Sequence, residues 1–371
     1  MGMPAASHDE THFMRRAIRL AERGRGRVSP NPIVGAVVVR GGRIVGEGWH
    51  RALGEPHAES MALRRAGSRA RGATMYVSLE PCAHLGRTPP CVEAIVAAGI
   101  RRCCVAVRDP NRIVNGRGLR RLRAAGVRVK VGLCSGEARR ALGGYWLAHT
   151  RGRPRVTLKL AASLDGRIAP AGGLTASGPG RWITGSAARR EAHRVRAASD
   201  AVVIGAGTAR TDDPRLTARG VGALRQPLRV VCDTRLRLPL DLRLFSPGLA
   251  RGTVVACGQA APAVRQAALE ARGVRVWRLR ASRGGVSPRA LLVRLAGEGC
   301  CEVLVEGGSR LAAAWTRAGV LDRIALFVAP RLLGPGGLAW GSGSSRGDWR
   351  GRIVEHGSLG RDSYCIVEAG R

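Results

Sequence analysis

Apolar residues fall into short runs separated by polar, Gly- or Pro-containing stretches, and two spacings alternate along the chain. Phe13, Ala17, Leu20 and Ala21 recur at helical spacing, which predicts an amphipathic helix over His12 to Ala21. Ile33 to Val39 is an unbroken apolar run of strand length, and Gly41-Gly42 predicts a tight turn into a partner strand over Arg43 to Gly46. Further strands are expected at Tyr76 to Leu79, Val105 to Val107 and Val127 to Val131. Helices are expected from just after Pro56 through Leu63, over Cys91 to Ala98, and around Leu119 to Ala125. Pro89-Pro90 suits a helix start at Cys91, because a proline in the first turn forfeits no hydrogen bond, and Gly99 suits its end. Residues 1–150 thus read as a three-layer α/β domain, followed by the polar, Gly- and Pro-broken linker Arg151-Gly152-Arg153-Pro154.

The alternation restarts over 151–371. Strands are predicted at Val156 to Leu160, Ala201 to Ile204, Leu228 to Val231, Thr253 to Val255 and Glu302 to Val305. Helices are predicted over Ser186 to Ala198, Val264 to Ala271 and Pro288 to Ala296. Polar or glycine turns follow several strands: Ser163-Leu164-Asp165-Gly166, Gly205-Ala206-Gly207-Thr208, Asp233-Thr234 and Glu306-Gly307-Gly308-Ser309. In an open α/β sheet ligands collect at the carboxyl ends of strands, where glycine turns let backbone amides approach phosphates. Neither glycine turn is a GxGxxG, so a Rossmann domain is not supported, and spacing alone leaves a dinucleotide site open.

At 371 residues the chain is long enough for two cores. Met1 to Arg27 has no apolar core of a signal peptide, and no apolar stretch approaches a membrane span. The expected compartment is therefore the cytoplasm, where ten cysteines stay reduced as metal ligands or buried thiols. Cys103-Cys104 and Cys300-Cys301 lie in or beside apolar strands and read as buried thiols. A net charge of +36 raises nucleic acid as a partner. The basic residues are spread along the whole chain, however, and all but Lys130 and Lys159 are arginine. Aromatic content is 4%, which leaves few platforms for stacking bases. The charge reads as a compositional habit, with weak nonspecific polyanion binding as its side effect.

One constellation carries specific chemistry: His57-Ala58-Glu59, then Pro81-Cys82, then Cys91. One imidazole and two thiolates make a three-ligand zinc site with an open fourth position, which catalytic zinc requires. Zinc there lowers the pKa of a bound water toward neutrality, and a carboxylate two residues from the histidine can shuttle the proton. That is the arrangement of zinc deaminases, H-x-E followed by P-C-x-x-C. Here the second cysteine comes nine positions after the first rather than three.

These residues resemble the bifunctional riboflavin-biosynthesis deaminase/reductase family nearly end to end. The matching stretches in the first half are Pro30-Asn31-Pro32, Val34-Gly35, His57-Ala58-Glu59, Leu79-Glu80-Pro81-Cys82, Gly86 to Cys91 and Asp109-Pro110-Asn111. In the second half they are Leu158-Lys159, Ser163 to Arg167, Trp182-Ile183-Thr184, Thr208, Asp212-Asp213-Pro214, Leu216-Thr217 and Glu306-Gly307-Gly308. The resemblance implies a cytidine-deaminase-like domain followed by a dihydrofolate-reductase-like domain. It implies zinc-dependent deamination of a 2,5-diamino-6-(phosphoribosylamino)pyrimidinone, then NADPH reduction of the ribosyl to a ribityl chain. By the same carry-over His57, Cys82 and Cys91 hold zinc, and Glu59 is catalytic. Asn31, His50, His84 and Arg87 contact the substrate, Arg87 as a phosphate ligand where many members have lysine. In the second domain Lys159 and Asp212 are implicated in catalysis. Ala161, Trp182, Thr208, Asp212, Thr234 and the run from Gly308 contact NADPH, while Arg196, Leu216, Arg219 and Glu306 face the substrate. The chain departs at Gly178-Pro179-Gly180-Arg181, where members often carry a substrate-contacting serine at the position of Gly180, which weakens the reductase expectation. The implied partner is a small phosphorylated pyrimidine, with no specific nucleic acid and no membrane; a homo-oligomer stays open. The alternatives are a nucleic-acid base deaminase, or a member in which only the deaminase half works.

Overall fold

The computed structural model describes residues 8–84, 89–173, 182–282, 285–340 and 349–370 of the chain. It divides into two units, Met1–Gly152 and Arg153–Arg371.

In chain order the first unit comprises α1 (His8–Glu22), β1 (Gly35–Arg40), β2 (Arg43–Trp49), α2 (Ala58–Ala66), β3 (Thr74–Val77), α3 (Cys91–Ala97), β4 (Arg102–Val105), α4 (Arg117–Ala124), β5 (Arg128–Val131), α5 (Ser135–Leu142) and α6 (Gly144–Arg151). Its sheet runs β2-β1-β3-β4-β5, antiparallel across β2, β1 and β3 and parallel from β3 to β5. Successive strand residues take opposite faces. Ala36, Val38, Met75 and Val77 pack against α2, α3 and α4. Val37, Val39 and Tyr76 pack on the other side with Met14 and Ala17 of α1 and Leu142 and Tyr145 of α5 and α6. This is the expected three-layer arrangement.

Several bounds differ from the pattern, each with a reason. α1 begins four residues before His12, because Asp9 and Glu10 place acidic groups at its positive N-terminal end. β4 starts at Arg102 rather than Val105. Arg102 is accommodated in the strand by Glu10 at 2.5 Å, and Lys130 meets the same carboxylate at 2.8 Å. The tight fit of α2 on β2 rests on glycine: a Cβ on Gly46 or Gly48 would lie 2.2 Å from the carbonyl oxygen of Ala62 or Ala58. α2 therefore sits on the strand backbone with nothing between.

The second unit comprises β6 (Arg155–Ser163), β7 (Arg167–Ala169), α7 (Ser186–Ala197), β8 (Ala201–Gly205), α8 (Ala206–Asp212), β9 (Leu228–Cys232), α9 (Pro247–Ala250), β10 (Thr253–Gly258), α10 (Ala263–Glu270), β11 (Arg275–Leu279), β12 (Ala281–Ser282), β13 (Gly285–Val286), α11 (Pro288–Gly297), β14 (Glu302–Glu306), α12 (Ser309–Arg317), β15 (Arg323–Ala329), β16 (Leu338–Ala339), β17 (Gly351–Leu359) and β18 (Asp362–Ala369). The main sheet has the order β11-β10-β9-β8-β14-β6-β15-β18-β17. It is parallel from β11 to β15, and the C-terminal hairpin β17–β18 adds antiparallel to β15. One face buries Val156, Leu158 and Val203 under Leu291, Leu295 and Trp315 of α11 and α12. The other buries Val202, Ile204 and Val255 under Phe245 and Leu269. Each such side chain contributes roughly 1.5–3 kcal/mol.

Ser287 caps α11, its hydroxyl accepting the Ala290 N–H at 3.4 Å, with Pro288 in the first turn. Gly205-Ala206-Gly207-Thr208, read as a turn, instead enters α8 directly, with extended Gly205 as its cap. The pattern did not foresee β11, β15, β17, β18 or α12.

Candidate functional site

The first unit brings its candidate ligands together from three places. His57 caps α2, Cys82 lies beyond the end of β3, and Cys91 opens α3. His57 Nδ1 is 3.2 Å from Cys91 Sγ and 3.6 Å from Cys82 Sγ, and the three ligand atoms lie within 4.8 Å of one another. Tetrahedral zinc, at about 2.3 Å from sulfur and about 2.0 Å from nitrogen, separates an N and an S ligand by about 3.5 Å. The donor set and its spacing fit zinc. The Cys91 N–H also points at Cys82 Sγ (3.4 Å). The Cys82 thiol is held well below the usual thiol range by its hydrogen bond with Cys91, and the same contact pushes Cys91 up.

Glu59 sits in the first turn of α2 and is buried. Burial, reinforced by the Cys82 thiolate, raises its carboxyl to about 7, and it lies within hydrogen-bonding reach of Cys91. His50 follows β2 with its ring centroid 5.2 Å from that of His57. Its Nε2 is buried without a partner, and burial lowers its basicity. Asn31 is half-buried, its N–H donating to the Val28 carbonyl at 2.9 Å. His84 is exposed two residues beyond Cys82, and Arg87 lies outside the described residues.

Two groups that sequence reasoning did not single out hold this site. Glu80 is buried and accepts four backbone N–H groups: Gly116 (2.9 Å) and Asp109 (3.2 Å) on Oε2, Gly118 (3.0 Å) and Leu119 (3.4 Å) on Oε1. It ties the loop entering α4 to the strand that delivers Cys82. A Cβ on Gly118 would lie 2.0 Å from the Pro81 carbonyl oxygen, so the first turn of α4 rests directly on the Pro81-Cys82 segment. Asp109 accepts the Tyr145 hydroxyl (2.9 Å) and the Asn111 N–H (2.8 Å), and burial raises its carboxyl to about 6. The signal for Glu80 lay inside Leu79-Glu80-Pro81-Cys82, overshadowed by the cysteine.

In the second unit the candidates gather at the carboxyl ends of parallel strands. Lys159 on β6 stands in register with Glu306 on β14. Glu306 accepts a bidentate pair from Arg196 of α7, at 2.9 and 2.8 Å. Burial alone would raise the Glu306 carboxyl, but Arg196 and Lys159 outweigh it and hold it low. Burial depresses the Lys159 ammonium, opposed by Glu306 and by Asp212. Arg196 also donates to the Thr217 carbonyl (3.0 Å), and Arg219 donates to the Thr217 hydroxyl (2.7 Å). The Arg219 N–H points at His193 Nδ1 (3.3 Å), a neighbour that the sequence did not suggest. Asp212 is the exposed last residue of α8.

Thr208 Oγ1 accepts the Gly308 N–H (3.3 Å), joining the starts of α8 and α12. Ala161 is half-buried on β6, and Thr234 follows β9. Trp182 is 51% exposed with the Arg189 guanidinium 5.1 Å from its ring centroid. Leu216 is buried in the core with Ile204 and Leu236, and its backbone is left-handed at φ 53°. Gly180 lies outside the described residues.

Residues 154–362 match the family described as the RibD C-terminal domain, and residues 7–107 the cytidine and deoxycytidylate deaminase zinc-binding region. The chain is 41% identical over 327 residues to riboflavin biosynthesis protein RibD of Aquifex aeolicus, covering 88% of each. It is 41% identical over 338 residues to that of Escherichia coli, covering 88% of this chain and 89% of the relative. Among solved structures it is similar to Acinetobacter baumannii RibD, at 36% identity and a TM-score of 0.86, over 98% of this chain and 99% of that one. It is also similar to a diaminohydroxyphosphoribosylaminopyrimidine deaminase/5-amino-6-(5-phosphoribosylamino)uracil reductase of Thermotoga maritima. That likeness has 33% identity and a TM-score of 0.82, over 98% and 99% of the two chains.

Proposed function

The chain belongs to the RibD family of bifunctional riboflavin-biosynthesis deaminase/reductases, and from that premise we propose how its own residues divide the two reactions. The substrate of the first step is 2,5-diamino-6-(5-phosphoribosylamino)pyrimidin-4(3H)-one, and the product of the second is 5-amino-6-(5-phosphoribitylamino)uracil. The observation that carries the reading is the convergence of His57, Cys82 and Cys91 beside the buried Glu59.

His57, Cys82 and Cys91 would hold zinc, which when bound supplies the Lewis acidity that makes water nucleophilic near neutral pH. Glu59 takes the proton released as the water oxygen bonds to C2 and passes it to the ring nitrogen; it then takes the second proton, from the C2 hydroxyl, and gives it to the amine, so that the carbonyl forms as the C2–N bond breaks and ammonia leaves. His50, with an unpartnered ring nitrogen beside His57, orients the pyrimidine, together with Asn31 and His84. Arg87 takes the phosphate.

In the second unit NADPH supplies the hydride when bound. Thr208, Thr234 and Gly308, together with Ala161 and Trp182, line its path along the strand ends. Arg196, Arg219 and Glu306 hold the ribosyl chain. Lys159 and Asp212 carry the proton transfers that open the ribose, leaving an imine whose C1′ accepts hydride while its nitrogen accepts a proton. A cytoplasmic location belongs to the same reading; among the described residues no helix is long and apolar enough to cross a membrane.

The test assays ammonia release and NADPH oxidation separately on the pathway substrate. Glu59→Gln should keep zinc and the reductase step while losing deamination by about 10²–10⁴-fold. Near-normal ammonia release from that variant would sink the assignment of Glu59.

A further inference from the structure

The segment 213–219, between α8 and β9, carries Leu216 and Arg219 and holds a conformation that its own residues do not favour. Asp213 (φ 36°) and Leu216 (φ 53°) both lie in the left-handed region without being glycine. Such a backbone persists only where its surroundings fix it. Three side chains do so here. The Gln226 amide pairs with both backbone groups of Ala218, accepting its N–H (2.7 Å) and donating to its carbonyl (3.0 Å). Arg196 of α7 donates to the Thr217 carbonyl (3.0 Å) while it grips Glu306. His193, three residues earlier and on the same face of α7, accepts the Arg219 N–H on Nδ1 (3.3 Å).

A backbone N–H can only donate, so Nδ1 of His193 is unprotonated and the ring proton sits on Nε2. The charged groups acting on the imidazole are Arg196 on its own helix, Arg219 on the segment and Glu306 on β14. Burial and the two guanidiniums depress its basicity, with Glu306 and the Thr217 carbonyl opposing them, so the ring is neutral at pH 7. In acid the imidazolium carries a donor on both nitrogens. Nδ1 then opposes the Arg219 N–H, and the acceptor left to the ring is the Thr217 carbonyl, which Arg196 already uses. Gln226 and Arg196 keep their charge over the same range. Of the three holders, only His193 changes with pH.

Resting on the reductase reading above, we propose that His193 is a positioning residue of that step: its neutral imidazole fixes the backbone from which Arg219 reaches substrate, and protonation slackens that hold. The effect falls on substrate capture. Lys159 and Asp212, to which the proton transfers are assigned, stand on β6 and α8, outside the segment. KM for the deaminated intermediate therefore moves, while kcat does not.

The experiment measures steady-state NADPH oxidation by the full chain on the deaminated intermediate, together with Kd for NADPH, between about pH 5 and 8. Its variants are His193→Ala, His193→Asn, whose Oδ1 can take the place of Nδ1, and His193→Gln, whose oxygen reaches instead to the place of Nε2. At the alkaline end His193→Ala and His193→Gln should raise KM about tenfold, equivalent to about 1.4 kcal/mol, with kcat and NADPH affinity within about twofold of wild type. His193→Asn should restore KM to within about threefold. The substrate phosphate titrates near pH ~6 as well, so the acid readout is the ratio of wild-type KM to that of His193→Asn, in which the phosphate cancels. That ratio should rise about threefold or more as pH falls from about 7 to 5, because the amide accepts at every pH. Wild-type KM in His193→Ala overturns the proposal, as does His193→Asn performing no better than His193→Gln. NADPH affinity lost in all three variants also overturns it, since the role would then be to hold the unit together. A ratio that stays level with pH overturns the protonation step. Wild type that oxidises no NADPH on this substrate overturns the reductase reading, and this proposal with it.

Discussion

Replacing Glu80 by glutamine should loosen the metal site without touching a ligand. The carboxylate accepts two N–H groups on each oxygen. Glutamine keeps one acceptor oxygen and turns an NH2 toward two donors, orphaning one pair. A buried N–H left unpaired costs about 1–3 kcal/mol, and the Leu119 contact, at 3.4 Å, is the weakest of the four. The expected loss is therefore about 2–4 kcal/mol, a large share of the ~5–15 kcal/mol that holds a domain folded. It falls locally, on the first turn of α4 that rests against Pro81, so Cys82 loses its support. Hydrogen exchange should show faster exchange of the amides of Asp109, Gly116, Gly118 and Leu119, with the reductase unit unaffected. Chelator competition should show zinc bound about 10–100-fold more weakly, as expected when a supporting partner of a ligand is lost. Wild-type exchange over 109–119 together with wild-type zinc affinity would refute the reasoning.

The Cys82→Ser/Cys91→Ser double variant should drop zinc from about one per chain to none by metal analysis; full retention would refute the ligand set. Asp109 gives a pH dependence. Its folded carboxyl is raised from 3.8 to about 6 by burial, with Glu80 adding to the rise and Tyr145 and His84 opposing it, so its stabilising contribution is full below about pH 4 and lost as pH rises through 6. Asp109→Asn should therefore gain stability relative to wild type by about 3 kcal/mol between pH 4 and 7 in denaturant titrations; a constant difference would contradict this. Asp212→Asn should greatly reduce NADPH oxidation and leave ammonia release intact, and a reductase rate equal to wild type would remove Asp212 from the site.

What the sequence revealed depended on how local the signal was. Helix α3 was legible because Pro89-Pro90 and Gly99 bracket it, and the approach of His57, Cys82 and Cys91 was legible because each stands at a helix start or strand exit. Glu80 was not, since its four partners lie 29 to 39 residues away and its role exists only once the loop is folded. β15 and β18 went unread although Ile324 to Ala329 and Tyr364 to Val367 are unbroken apolar runs; what the sequence does not display is their pairing with each other and with β6. Leu216 shows what a residue-by-residue likeness leaves out: its left-handed backbone and its burial with Ile204 and Leu236 depend on distant residues that no local spacing displays.

The place of β6 in the second sheet bears on how the chain is made. It is the first strand of its unit, yet its neighbours β14 and β15 are among the last, and the Arg155–Glu302 pair at its start joins residues 147 apart. The first unit closes on itself by Gly152 and can fold as it leaves the ribosome, N-terminal part first. The second must wait. Its central strand, which buries Val156, Leu158 and Leu160 in the folded unit, has no hydrogen-bonded partner on either side until residue 302 has been synthesised, and such distant pairing is slow. Throughout that interval β6 is an unpaired, aggregation-prone edge. Translation stalled before β14 would release a chain with a finished deaminase unit and a reductase unit dependent on chaperones.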